Sequence, residues 1–176
     1  MTDPVRTGGC QCGAVRFQVE GPLGDASVCH CRMCQKASGN FYLPLVSVRQ
    51  ARLIWTREVP RRFQSSNHVR RAFCPHCGTP LTYEAPDGMS VTIAAFDDPT
   101  DIRPTVQWGT ENKLPYVDGV ADLPAHATLE DLTAASFIAD IVSYQHPDHE
   151  VPGWTPRLDE EERETKDHWR PQEQGV

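Results

Sequence analysis

Phe73-Cys74-Pro75-His76-Cys77-Gly78-Thr79-Pro80 is the stretch on which the architecture turns. Two cysteines separated by Pro-His spell either a redox pair or half of a metal site. A redox pair needs its first cysteine to open a helix inside a βαβ unit, where the helix N-terminus lowers the thiol pKa. Gly78, Thr79 and Pro80 cannot carry a helix forward, and no βαβ pattern surrounds them. The stretch therefore reads as a zinc knuckle. Pro and Gly shape a tight turn that aims two thiolates at one cation while backbone amides point at the sulfurs.

A knuckle of two thiolates needs partners. Working outward, the chain offers Cys10-Gln11-Cys12-Gly13 and Cys29-His30-Cys31-Arg32-Met33-Cys34. The cysteines number seven, so a paired disulfide framework would leave one thiol over. Met1 to Gly9 shows no apolar leader, so a reducing, cytoplasmic setting is expected, where disulfides do not persist. Seven is also four plus three. A closed structural zinc site takes four ligands, and a catalytic site takes three with one position open. Cys29, Cys31 and Cys34 lie close enough to seize one ion from a single turn. Cys10, Cys12, Cys74 and Cys77 then cross-link the N-terminal strand to the middle of the chain, a link that can supply ~10 kcal/mol or more of folding energy. His30 lies within the trio but is expected to turn away. An ion held by three thiolates can take a fourth sulfur or polarise a carbonyl. It is a weaker acid than one held by imidazoles, and so suits thiol chemistry; the bland alternative makes both ions structural.

The remaining pattern is that of a mainly β body. Val15, Phe17 and Val19 alternate with Arg16, Gln18 and Glu20 up to Gly21-Pro22. Further strands are expected at 26–28, 41–48, 52–55, 69–73, 80–83, 89–95 and 105–108, with a hairpin turn at Pro86-Asp87-Gly88 and one helical turn at Arg32 to Ser38 closed by Gly39. Residues 1–125 are expected to form this zinc-binding domain, and 126–176 an acidic extension. Thr128-Leu129-Glu130-Asp131 resembles a capping box, and Leu132, Ala135, Ile138 and Ile141 follow at helical spacing, so a helix is expected near 129–144. Leu158 to Trp169 is charge-rich, with Trp154 and Trp169 able to anchor it on the body or on a second subunit.

The net charge is −7, and residues 126–176 hold 12 acidic against 4 basic side chains. A near-neutral body with an acidic tail is a poor nucleic-acid binder. No run of apolar residues is long enough to span a bilayer. Between the trio and the knuckle, Arg49, Arg52, Arg57, Arg61, Arg62, Arg70 and Arg71 face Glu58 alone. They read as a solvated face of strands, or as a clamp for the carboxylates of a small anionic thiol, with His68 and Lys113 as weaker candidates.

The runs Gly8 to Phe17, Cys29 to Gly39 and Phe73 to Leu81, with Phe96-Asp97-Asp98-Pro99 and Leu114-Pro115-Tyr116, resemble the glutathione-dependent formaldehyde-activating enzyme family. The resemblance runs from about residue 5 to 125. It implies a zinc-dependent β-tent of antiparallel sheets. It also implies a structural zinc on Cys10, Cys12, Cys74 and Cys77, and a catalytic zinc on Cys29, Cys31 and Cys34. The implied reaction joins formaldehyde to glutathione as S-hydroxymethylglutathione, a carbon–sulfur lyase in the reverse sense. Two alternatives stand beside it. One is a non-catalytic zinc module for a protein or small thiol; the other is methionine sulfoxide reductase-like chemistry, which needs a free reactive cysteine. The extension lies outside the resemblance and leaves a homo-oligomer open.

Overall fold

The computed structural model describes residues 5–130 and 135–157. Strands β1 (Arg6–Gly9), β2 (Arg16–Glu20) and β5 (Arg52–Trp55) make an antiparallel sheet in the order β1-β2-β5. The alternation in β2 decides its faces: Val15, Phe17 and Val19 are fully buried. Phe17 meets Trp55 and Phe96 edge to face, with centroids 6.0 and 5.2 Å away. Its ring lies across Gly8, where any Cβ would fall 2.4 Å from Phe17 Cζ and 2.3 Å from the Ala95 carbonyl. Glycine at position 8, which strand propensity disfavours, is thus required by the ring and the carbonyl beside it.

The second sheet runs β10-β3-β4-β9-β8-β7-β6. Its members are β3 (Ala26–Cys29), β4 (Leu43–Ser47), β6 (Arg61–Gln64), β7 (Arg70–Phe73), β8 (Pro80–Ala85), β9 (Gly88–Thr92) and β10 (Val106–Trp108). β8 and β9 form the expected hairpin. Neighbours are antiparallel except β3 and β10, which run parallel. Parallel neighbours need a crossover, and here the body of the chain lies between them in sequence.

Side-chain alternation gives this sheet two different faces. Ala26, Val46, Val91, Thr82 and Ala72 point toward the smaller sheet, and all are buried. Ala26, Val46 and Val91 join Phe17, Val19, Leu81, Ile93, Phe96 and Ile102 in the main core. On the opposite face, Arg71 pairs with Tyr83, Tyr83 with Ser90 and Ser90 with Ser47 across successive strands, while Cys29 pairs with Leu43. Directly opposed residues share a face, so this row carries the polar site. Helix α1 (Arg32–Ser38) follows β3, capped by Cys31 and ended by Gly39 at φ 62°.

The extension departs from its expected form. Part of the helix expected near 129–144, and all of Leu158 to Trp169, lie outside the described residues. Within the described part, Ser136–Asp140 form a short 3-10 helix and Ile141 is extended. Asp131, the acidic residue of the expected capping box, also lies outside the described residues, and Glu130 accepts from the Ala127 amide at 2.9 Å. Leu129, Phe137, Ile141 and Val142 are each at least 60% exposed. A short amphipathic segment whose apolar stripe is left this open by the described residues lacks the packing that stabilises helices in proteins. Trp154, in contrast, does reach the body.

Candidate metal centres

Two turns build the first cluster. In one, the Gly13 amide donates to the Cys10 carbonyl at 3.1 Å and the Cys10 amide to the Val15 carbonyl at 2.9 Å. In the other, Gly78 donates to Cys74 and Cys74 to Thr79, both at 3.0 Å. Gly13 and Gly78 sit at φ 78° and 76°, left-handed conformations that glycine adopts without strain. The turns meet so that the sulfurs of Cys10, Cys12, Cys74 and Cys77 all lie within 4.8 Å of one another. Cys10–Cys12 and Cys12–Cys74 are 3.5 and 3.8 Å apart. A disulfide needs about 2.05 Å. Four sulfurs arranged tetrahedrally at Zn–S of about 2.3 Å would stand about 3.8 Å apart. The donor set and its spacing thus fit a zinc ion, and all seven thiols are unpaired by disulfides.

The protons of this cluster are held unequally. Hydrogen bonds from Cys10 and Cys74 draw the Cys77 thiol down, and contacts with Cys10 and then Cys77, with burial, push Cys74 up. Burial pushes Cys12 up to about 12. Several buried thiolates cannot coexist without a cation among them. The Val15 amide and the Thr79 hydroxyl also reach this shell, at 3.3 Å from Cys10 Sγ and 3.1 Å from Cys77 Sγ.

The second cluster, Cys29, Cys31 and Cys34, sits where β3 runs into α1, its sulfurs likewise within 4.8 Å. Cys31 caps the helix, its sulfur accepting from the Cys34 amide at 3.4 Å. Gly109, just after β10, presses on it from outside: a Cβ there would lie 2.8 Å from the Cys31 nitrogen. His30 turns away as expected. It is buried, its Nε2 stands 2.9 Å from Gln107 Oε1, and its ring meets Tyr42 edge to face. Gln35 fixes the turn by donating to the His30 and Asn112 carbonyls at 2.7 and 3.0 Å. Unlike the first cluster, the trio lines a cavity of about 250 Å³ whose wall includes Arg71, Tyr83, Ser65, Ser90, Met33 and Trp108. The hydrogen bond from Cys34 draws Cys29 down to about 5 against the effect of burial, helped by Cys31 and the charge of Arg71. That same bond and burial push Cys34 up.

Of the arginines singled out in the sequence, Arg71 alone enters this cavity. Arg49 pairs with Asp87, Arg52 with Glu20, and Arg62 and Arg70 with Glu84. Arg57 donates to the Gly13 and Val151 carbonyls, and Lys113 pairs with Asp118. Arg61 and His68 are exposed, and Glu58 binds His76 instead, at 2.7 Å. Tyr83, Ser65, Trp108 and Gly109 were not singled out. Only the register across β7, β8 and β9 places the tyrosine beside Arg71, and nothing local announces it.

Residues 5–112 match the family described as glutathione-dependent formaldehyde-activating enzyme. The chain belongs to this family. The matched residues include both clusters and every strand described above, so the family resemblance and the sulfur geometry concern the same part of the molecule. A crystal structure of a Rhodobacter sphaeroides protein is similar over 58% of this chain and 98% of its own, at 24% identity and a TM-score of 0.43. No helix among the described residues is long and apolar enough to cross a membrane.

Proposed function

We propose that this member of the formaldehyde-activating family is a cytoplasmic, zinc-dependent enzyme of the carbon–sulfur lyase type. It forms or cleaves an adduct between glutathione, or another small thiol, and an aldehyde, such as S-hydroxymethylglutathione. Cys10, Cys12, Cys74 and Cys77 hold a structural zinc, and Cys29, Cys31 and Cys34 a catalytic one. The observation that carries this reading is the contrast between the clusters: four sulfurs closed on one another, against three that border a cavity.

When bound by the trio, zinc supplies Lewis acidity at one free position. The chain's own groups do the rest. Trp108, Met33 and Leu45 give the cavity apolar walls. Arg71 supplies a fixed positive charge beside the cysteines. Burial, and then the charge of Cys34, raise the Tyr83 phenol above its usual range, so it keeps its proton at neutral pH and can donate to the aldehyde oxygen. In the forward direction the thiol sulfur bonds to the aldehyde carbon and the C=O π pair moves to oxygen. The proton lost by sulfur is made up there.

Formaldehyde adds to thiols unaided, so acceleration is the criterion. Exchange NMR on formaldehyde plus glutathione is expected to show faster interconversion with the metal-replete protein than without it. No gain would favour the second reading, a non-catalytic zinc module. The exposed Phe137, Ile141 and Val142 of the extension speak for that reading, as a surface for a partner or a second copy.

A further inference from the structure

Arg71 is a buried cation on the sheet face that also carries Phe63, Tyr83, Ser90, Leu43 and Cys29. It is 4% exposed. Its Nη2 donates to Cys34 Sγ at 3.2 Å, its Nε donates to Ser65 Oγ at 3.0 Å, and its guanidinium lies 5.0 Å from the Tyr83 ring centroid. No carboxylate pairs with it among the described ion pairs, whereas Arg16, the other deeply buried arginine, binds Asp97 and Glu150. A buried guanidinium without an anion is costly. Among the described residues, the anion within its reach is the sulfur of Cys34.

We infer that Arg71 is a positioning residue whose anion is the Cys34 thiolate, and that it sets how tightly the trio holds its cation and an incoming thiolate. Three thiolates around a divalent ion carry a single negative charge, which opposes a fourth anionic sulfur. Arg71 cancels that charge from inside the protein, so an anionic sulfur can approach a locally neutral centre. The guanidinium is suited to this because its planar fork reaches Ser65 and Cys34 together while its face covers Tyr83. Lysine could bring the charge but not both hydrogen bonds. Among the described residues, an amide and a hydroxyl reach the sulfurs of the first cluster and no guanidinium hydrogen-bonds to them, in keeping with a site that admits no further anion.

This inference rests on the reading that the trio holds zinc, and its test reads the metal rather than turnover. The full chain, stripped and reloaded with cobalt or zinc, is titrated against a chromophoric chelator as wild type, Arg71→Met and Arg71→Lys. Arg71→Met is expected to weaken the second cation about 10- to 100-fold, as other losses of hydrogen bonds to ligands do. The first cation should hold as in wild type, and Arg71→Lys should recover part of the affinity. The sulfur-to-cobalt charge-transfer band of the second site should shift in both variants. Wild-type affinity and an unshifted band in Arg71→Met would overturn the inference. Should that variant not fold, an unshifted band and full affinity in Arg71→Lys would do so. A wild-type chain that takes up only one cobalt would sink the zinc reading of the trio and this inference with it. Two bound cobalts without acceleration of the thiol–aldehyde reaction would count against the proposed activity alone.

Discussion

At Gly109 the backbone passes the cysteine trio in a left-handed conformation, φ 65°, with no room for a side chain. Gly109→Ala is expected to cost about 1–3 kcal/mol through strain and to displace Cys31. Metal analysis should find the second cation lost and the first retained. Arg16 poses a different problem, since it is buried beneath the smaller sheet and held by Asp97 at 2.5 Å. Burial acts to raise the Asp97 pKa, but the hydrogen bonds from Arg16 and Thr7 and the charge of Arg16 outweigh it, so the group sits below its ordinary value. A depressed carboxylate contributes stability that is present above about pH 4, its unfolded value, and is lost as pH falls through the folded value. Asp97→Asn is expected to cost about 3 kcal/mol at neutral pH by leaving a buried charge under-compensated. Denaturant midpoints should show the gap between variant and wild type closing on acidification below pH 4.

The knuckles are the elements that turn separate strands into one body. Each is too short to be stable alone, and each offers only two sulfurs, so folding and metal capture are coupled. Loss of ~10 kcal/mol exceeds the margin of many domains. Cys74→Ser is therefore expected to unfold the body, whereas Cys31→Ser keeps the fold and loses one cation; circular dichroism with metal counting distinguishes them. Equal loss of structure in both would remove the case for an open second site. Strand β2 was legible because its alternation meets a buried face, and α1 because Gly39 stops it. β1 was not, because Gly8-Gly9 carry no strand propensity and are required only by tertiary neighbours, Phe17 and the Ala95 carbonyl at Gly8, and Arg16 and the Val15 carbonyl at Gly9. Nor was β6, whose Arg61-Arg62-Phe63-Gln64 is exposed throughout and pairs with β7 alone, leaving no buried face to mark it.

Across the whole molecule, the extension closes over the first knuckle. His146 donates its amide to the Gln11 carbonyl at 2.8 Å, and the Trp154 indole donates to the Cys12 carbonyl at 2.9 Å. Both rings lie on Gly13, where a Cβ would fall 2.4 Å from His146 and 2.7 Å from Trp154. Arg57 and Arg16 bind Val151 and Glu150 of the same segment at 2.7 and 3.0 Å. This strap lies beyond the family-matched residues. Trp154→Ala is expected to cost about 1–2 kcal/mol, from a lost hydrogen bond and half-buried aromatic surface. Chelator competition should remove the first zinc several-fold faster, and the second at its wild-type rate. The cysteine spacing by itself determined that two groups of sulfurs, of four and of three, would gather, because ligand number and turn chemistry are local properties of a few residues. That Arg71 alone among the described arginines combines contact with the trio and a place in its cavity, and that Trp154 covers the other group, were decided only by the tertiary structure. Those outcomes depend on strand register and on contacts between residues far apart in the chain, which no short stretch encodes.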